Sequence, residues 1–361
     1  MFKKHLSILD LFSKKIKTFK MSAFGNDFIL FDINDKIIKN YNIEEIFDFI
    51  KLNAIKISNR EFGIGCDQII ILSDINLITK EKIKNNNIDS FIIFLNSDGS
   101  ISGACGNGTR CAVAYLAKKL NKNKINLQTL DRVLQSSLVL EQNSSNNPEV
   151  KVDMGQVLTQ DFQIPISTKY NINQAKDFVS NLIKNSLDVQ NYSHDNIFFG
   201  NVGNPHCVID ITDINFNNEK LIDIYQKSLE SLDNKSNLFT DLLNKFILIG
   251  KTIENTLDYF PNRINVEFVQ KINNDLAFLI VWERGSGITF SCGTGASATG
   301  YYLINKYKTG NTIKIATMGT ILHRKICGAT DISPLTISIE NNSVIMQGGY
   351  SFVCEIVNFK Y

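Results

Sequence analysis

Two short stretches hold the residues best suited to chemistry. Cys105-Gly106-Asn107-Gly108 and Cys292-Gly293-Thr294-Gly295 each set a thiol ahead of Gly-x-Gly, with an apolar helical segment behind it. An offset of 187 positions brings Cys105 onto Cys292, Tyr115 onto Tyr302 and Leu116 onto Leu303, so the chain reads as an internal duplication. The first turn of a helix leaves N–H groups unpaired. Together with the macrodipole they favour negative charge, which lowers a thiol's pKa from its usual value of about 8.5. Two such thiols suggest a pair facing one substrate, one taking a proton while the other gives one. The backbone N–H groups of Gly106 and Asn107, and of Gly293 and Thr294, are then candidates to clamp a carboxylate as charge develops beside it.

The elements around these loops follow from pattern. Strands over 17–21 and 28–32 flank the turn Gly25-Asn26-Asp27, and a helix over 43–53 follows. Gly63-Ile64-Gly65-Cys66-Asp67-Gln68 feeds a buried strand over 69–72, and the lysine- and asparagine-rich stretch 74–89 reads as a solvated excursion. A strand over 91–95 ends in Asn96-Ser97-Asp98-Gly99, and the first core helix is expected over 112–120. A strand over 133–140 and a polar loop at 143–147 bring the chain to a domain boundary at Asp153-Met154-Gly155. In the second half, Gly203-Asn204-Pro205-His206-Cys207 leads into a strand over 208–211. The segment 215–260 has helical spacing and reads as a largely exposed insert with an apolar seam, a surface decoration. Strands over 263–269 and 277–282 then deliver Glu283-Arg284-Gly285, and the second core helix is expected over 299–307.

Length and charge narrow the function class. The 361 residues suffice for two domains, and with 43% hydrophobic and 20% charged residues the chain is ordinary globular protein. A formal charge of +2 gives no argument for nucleic acid or a membrane surface, which leaves a small molecule as the expected partner. No run of 18 apolar residues could span a bilayer, and residues 1–15 read as a short amphipathic extension without a cleavage site. Seven cysteines, an odd number, argue against a disulfide framework and for a cytoplasmic protein with reduced thiols. None of their spacings supplies a zinc pair, so no metal is expected.

Taken together, Gly25-Asn26-Asp27-Phe28, Gly65-Cys66-Asp67-Gln68, Asn96-Ser97-Asp98-Gly99, Cys105 to Cys111, Gly203-Asn204-Pro205-His206, Arg263-Ile264-Asn265-Val266, Glu283-Arg284-Gly285 and Cys292-Gly293-Thr294-Gly295 resemble the diaminopimelate epimerase family. The resemblance implies an α/β fold of two pseudo-symmetric domains, each a curled, mostly antiparallel sheet around a central helix, with the active site in the cleft between them. It places the first domain at 16–155 with the tail from about 348, and the second at 156–347. It implies interconversion of LL- and meso-diaminopimelate without pyridoxal phosphate, metal or any other cofactor, on the route to lysine and peptidoglycan, and it leaves a homodimer open. By resemblance Cys105 and Cys292 are the proton-transfer pair. Glu283 holds a substrate amino group, Arg284 pairs with the distal carboxylate, Asn96 and Asn265 read the distal end, and Asn26, Gln68 and Asn204 line the pocket. His206 is either a structural histidine or a neighbour that tunes Glu283 or a thiol. A proline or hydroxyproline racemase, a non-catalytic binding protein and an isomerase with a carboxylate in place of cysteine are the rival readings. Asn96, Asn265 and Arg284 argue against the first and the two thiols against the others.

Overall fold

The structure, a computed structural model, describes residues 16–33, 42–74, 78, 87–103, 105–139, 148–160, 163–164, 166–230, 238–327 and 334–357. The amino-terminal extension, most of the excursion at 74–89 and the polar loop at 143–147 lie outside them. The chain divides into two compact units, Met1–Asp153 with Gly348–Tyr361, and Met154–Gln347.

In the first unit, β1 (Lys17–Ala23) and β2 (Asn26–Asp32) form a hairpin closed by Phe24 and Gly25, at φ 53° and 89°. Helices α1 (Ile43–Leu52) and α2 (Ala54–Ser58) connect β2 to β3 (Gln68–Ser73), its parallel neighbour. Asn42 caps α1 by accepting from the Glu44 N–H, and Ile46, Phe47, Phe49 and Ile50 pack with Ile69 and Ile71 of β3. Next come β4 (Ser90–Asn96), antiparallel to β3, the short β5 (Ile101–Ser102), and helix α3 (Gly106–Leu120). Strands β6 (Lys124–Gln128), β7 (Val133–Val139) and β8 (Glu149–Asp153) follow, β6 parallel to β4 and the other two antiparallel in turn. Helix α3 is buried all round from Gly106 to Ala117, as a helix enclosed by strands must be.

The second unit repeats this pairing pattern. After α4 (Ile172–Leu187), β9 (Ile197–Asn201) and β10 (Pro205–Asp210) form the antiparallel pair. Helices α5 (Leu221–Glu230) and α6 (Leu238–Asn255) connect β10 to its parallel neighbour β11 (Asn265–Lys271). Strands β12 (Leu276–Glu283) and β13 (Gly287–Thr289), the enclosed helix α7 (Gly293–Tyr307) and strand β14 (Thr312–Thr317), parallel to β12, come next. After α8 (Met318–Cys327), β15 (Leu335–Glu340) and β16 (Ser343–Gly349) end the series; β17 (Ser351–Ile356) belongs to the first unit and pairs there with β1. The expected mixed α/β fold, mostly antiparallel with a central helix in each half, is what the structure has.

Three expectations need correction. The core helices begin at Gly106 and Gly293, not at 112 and 299, because each cysteine caps its helix and the glycines form the first turn. The strand of the second glycine motif begins at Pro205, so His206 lies within the sheet. The segment 215–260 is not a largely exposed decoration. Parallel strands β10 and β11 require a crossover connection, and α5 and α6 supply it, as α1 and α2 do in the first unit. Leu221, Ile224, Tyr225, Phe239, Phe246, Ile249 and Ile253 are buried in the unit's core.

Candidate active site

The sequence-predicted residues occupy equivalent places in the two halves. Asn26 follows the glycine of the β1–β2 hairpin, and Asn204 follows Gly203 between β9 and β10, both glycines at φ 89°. Gln68 opens β3 in register with Phe28, and Asn265 opens β11 in register with His206. Asn96 ends β4 and Glu283 ends β12. Cys105 and Cys292 then cap α3 and α7.

Each thiol is the N-cap of its helix. Cys105 Sγ accepts from the Gly108 N–H at 3.3 Å and Cys292 Sγ from the Gly295 N–H at 3.4 Å. The Gly106 and Asn107 N–H groups, like those of Gly293 and Thr294, stand at the first turn, where the helix offers them no acceptor. The glycines are required by what lies beneath. A Cβ on Gly108 would come within 2.7 Å of Phe94 Cε1, and one on Gly295 within 2.7 Å of Glu267 Oε1.

In the first unit one chain of hydrogen bonds orients the amides. Arg110, fully buried, donates to Asn107 Oδ1 at 2.7 Å, Asn107 Nδ2 to Asn26 Oδ1 at 2.6 Å, and Asn26 Nδ2 to Asp67 Oδ2 at 3.3 Å. Arg60 bridges Asp67 and Asp27 at 2.7 and 2.8 Å. Burial works to raise the Asp27 carboxyl, but hydrogen bonds from Arg60 and Lys20 outweigh it and hold its pKa at about 2. Beside this chain Gln68 Nε2 donates to Asn96 Oδ1 at 2.9 Å.

In the second unit Asn265 Oδ1 accepts from the Arg284 N–H at 3.0 Å, and its Nδ2 donates to the Pro205 carbonyl at 3.1 Å. The Arg284 guanidinium donates to the Asn262 carbonyl at 3.0 Å and reaches Asn204 Oδ1 at 3.5 Å. Glu283 Oε1 accepts from Thr289 Oγ1 at 2.5 Å. His206 Nδ1 pairs with Glu267 Oε1 at 2.7 Å with both side chains fully buried, while His206 Nε2 and Glu267 Oε2 have no hydrogen-bond partner among the described residues. The Cys292 thiol is pushed well above its ordinary pKa, first by burial and then by the charges of Glu283 and Glu267, against the opposing bonds from Thr294 and Gly295. The expected lowering by the helix terminus is therefore overturned for Cys292: desolvation and two carboxylates outweigh it. Glu283 and Glu267 are themselves raised, chiefly by burial. Among the described residues no three His, Cys, Asp or Glu side chains converge as a metal site would, and no helix is long and apolar enough to cross a membrane.

A family model described as diaminopimelate epimerase matches residues 18–159 and 198–338. The chain belongs to the diaminopimelate epimerase family. A diaminopimelate epimerase of Pelagibacter ubique is 33% identical over 342 residues, 94% of this chain and 98% of that one. Another, of Leptospira biflexa, is 32% identical over 313 residues, 86% of this chain and 91% of the relative. The fold recurs in a Bacillus anthracis phenazine biosynthesis protein of the PhzF family, with TM-score 0.57, 14% identity and coverage of 94% and 98%. It recurs too in a hydroxyproline epimerase from Agrobacterium vitis, with TM-score 0.52, 10% identity and coverage of 96% and 93%.

The second match to the diaminopimelate epimerase family encloses the crossover segment 215–260. Around the expected residues stand others to which the motif reading assigned no role: Asp67 and Arg110, inside the quoted motifs, in the first unit, and Glu254, Glu267 and Thr289 in the second. Glu267 had a sequence signal, a carboxylate inside the apolar run Ile264 to Val269. Glu254 had one as well, since it falls on the apolar stripe Phe246, Ile249, Gly250, Ile253.

Proposed function

We propose that this chain interconverts LL- and meso-diaminopimelate by proton transfer at one α-carbon between Cys105 and Cys292. A thiolate on one side takes the α-proton, breaking C–H and forming S–H. The opposite thiol gives its proton to the other face, breaking S–H and forming C–H. The two thiols end with exchanged protonation states, and solvent exchange resets them. Which cysteine is the base depends on the configuration of the substrate carbon, and in the free enzyme burial with the Glu283 and Glu267 charges works against a thiolate at Cys292.

The observation that carries this reading is the repeated half-site, a cysteine capping a buried helix whose first-turn N–H groups face no helical acceptor. Those groups, at Gly106 and Asn107 and at Gly293 and Thr294, meet the charge that develops on the reacting carboxylate, so the carbanion needs neither a metal nor pyridoxal phosphate. Arg284, with its planar fork, takes the distal carboxylate and Glu283 an amino group. Asn96 and Asn265 read the distal end, Asn26, Gln68 and Asn204 line the pocket, and His206 pairs with Glu267. The same reading places the enzyme in the cytoplasm, and a sedimentation measurement would show whether it is a homodimer.

The test is solvent deuterium incorporation at the α-carbon of LL-diaminopimelate, beside proline, lysine and histidine, with Cys105→Ala and Cys292→Ala. Label in diaminopimelate only, lost in either variant, is the expected result. Label entering another amino acid, or surviving both substitutions, would overturn it.

A further inference from the structure

Glu283 and Arg284 occupy a tight turn in which the Ser286 N–H donates to the Glu283 carbonyl at 3.0 Å. Three donors around that turn converge on the buried carboxylate of Glu254, at the end of α6. Glu254 Oε2 accepts from Trp282 Nε1 at 2.7 Å. Its Oε1 accepts from the Gly285 N–H at 2.9 Å and from the Arg263 guanidinium at 3.1 Å. Trp282 and Gly285 stand on either side of Glu283 and Arg284. Arg263 adjoins Asn262, whose carbonyl holds the Arg284 guanidinium. One helix turn before Glu254, Gly250 seats α6 on the indole: a Cβ there would lie 2.5 Å from Trp282 Cγ.

The placement of Glu254 runs against helix electrostatics. The C-terminal turn carries the negative end of the macrodipole and favours cations, and the last turn of α6 has no basic residue. A carboxylate there, with 4% of its surface exposed, is stabilised by the donors it collects and not by its helix. Both turns it ties are left-handed, Arg263 at φ 57° and Gly285 at φ 77°. Such backbone persists where surrounding bonds over-determine it.

We propose that Glu254 is a positioning residue that sets how Arg284 and Glu283 are presented to the distal end of the substrate. The inference rests on the function proposed above. It assigns the crossover helix α6 a part in substrate affinity.

Glu254→Gln tests it, because an amide of the same shape has one acceptor oxygen and must turn an NH2 towards one of the donors. The expected result is a rise of about tenfold in KM for LL-diaminopimelate, the size of one buried hydrogen bond lost, with kcat changed by less than about twofold. The Gly285 amide should exchange with deuterium faster while amides of α7 keep their protection. Adding Trp282→Phe removes the donor that the new NH2 opposes, so the double variant should recover KM and Gly285 protection relative to Glu254→Gln alone. A fall in melting temperature with KM and Gly285 exchange unchanged would reduce Glu254 to a structural residue and overturn the proposal, as would a loss confined to kcat. Should Glu254→Gln fail to fold, Glu254→Asp keeps both oxygens one methylene back and is read in the same way. If the wild-type protein exchanges no α-proton of diaminopimelate, the proposed function fails, and Gly285 exchange still decides whether Glu254 holds the turn.

Discussion

Arg110 is the side chain on which the first half-site can be tested most sharply. Its guanidinium is fully buried, and burial lowers its pKa from 12.5 to about 10. At 1.36 kcal/mol per unit this corresponds to roughly 3 kcal/mol against the charged form. In return it donates to Asn107 Oδ1 at 2.7 Å, makes two long contacts to the Gly349 and Gly106 carbonyls at 3.4 and 3.5 Å, and stacks on Phe24 with 4.9 Å to the ring centroid. A charge-assisted hydrogen bond contributes about 1.5–3 kcal/mol, so the two effects nearly cancel. Arg110→Met, an apolar side chain of similar length, should therefore change unfolding free energy by less than about 1 kcal/mol in denaturant titration. Activity should behave differently. Arginine only donates and the Asp67 carboxylate only accepts, so the chain Arg110, Asn107, Asn26, Asp67 has one direction, and that direction fixes which way both amides face. Without Arg110 the Asn107 amide can flip. Losing about 1–3 kcal/mol of positioning should lower kcat/KM by about ten- to a hundredfold. Normal kcat/KM in a folded Arg110→Met protein would refute the claim that this chain orients the site, and a loss of stability matching the loss of activity would show Arg110 to be structural only.

Three further outcomes are expected. Glu267→Gln removes one of the charges that push the Cys292 thiol up, so alkylation of Cys292 in a Cys105→Ala background should set in at lower pH than with Glu267 present; an unmoved profile would separate Glu267 from the thiol. The Asp27 carboxyl is held at about 2, so the stability it contributes is present above its unfolded value of about 3.9 and is lost as pH falls through about 2. Asp27→Asn should thus destabilise the protein at pH 7 and have no effect on melting below pH 2. Replacing 221–255 by a short linker should prevent the second unit from folding, since the crossover and its buried Phe239, Phe246 and Ile253 go with it; a folded, active product by circular dichroism and turnover would restore the reading of this segment as decoration.

Much of this was legible because it is local. The β1–β2 hairpin follows from alternating and apolar residues around Gly25, and the half-sites from Cys-Gly-x-Gly ahead of an apolar helix. The rest depended on neighbours distant in sequence. That 215–260 is a crossover follows from β10 pairing parallel to β11, a relation that the segment itself does not display. Its surface asparagines and lysines made the buried stripe of α6 look like a seam on an exposed helix. Helix α4 went unread although Asn171 and Gln174 form a full capping box at its start. The thiol at Cys292 was misjudged for a related reason: its helix terminus is visible in the sequence, but Glu267 comes beside it only through β11.

The duplication gives each half a cysteine at the same place, capping its enclosed helix, and the differences between the copies explain why the two thiols need not be chemically equal. Counting from Gln68 and Asn265, Glu267 stands where the first half has Ile70, and Glu283 ends its strand where the first half has Asn96. Beneath Gly108 lie the rings of Phe94 and Phe28, and beneath Gly295 lies Glu267 paired to His206. A proton-transfer pair needs one thiol and one thiolate at the start of each turnover. Two identical half-sites would share the proton between them without preference. In the second copy burial and the charges of Glu283 and Glu267 push the Cys292 thiol up, so the residues that diverged give the two repeated scaffolds different electrostatic surroundings.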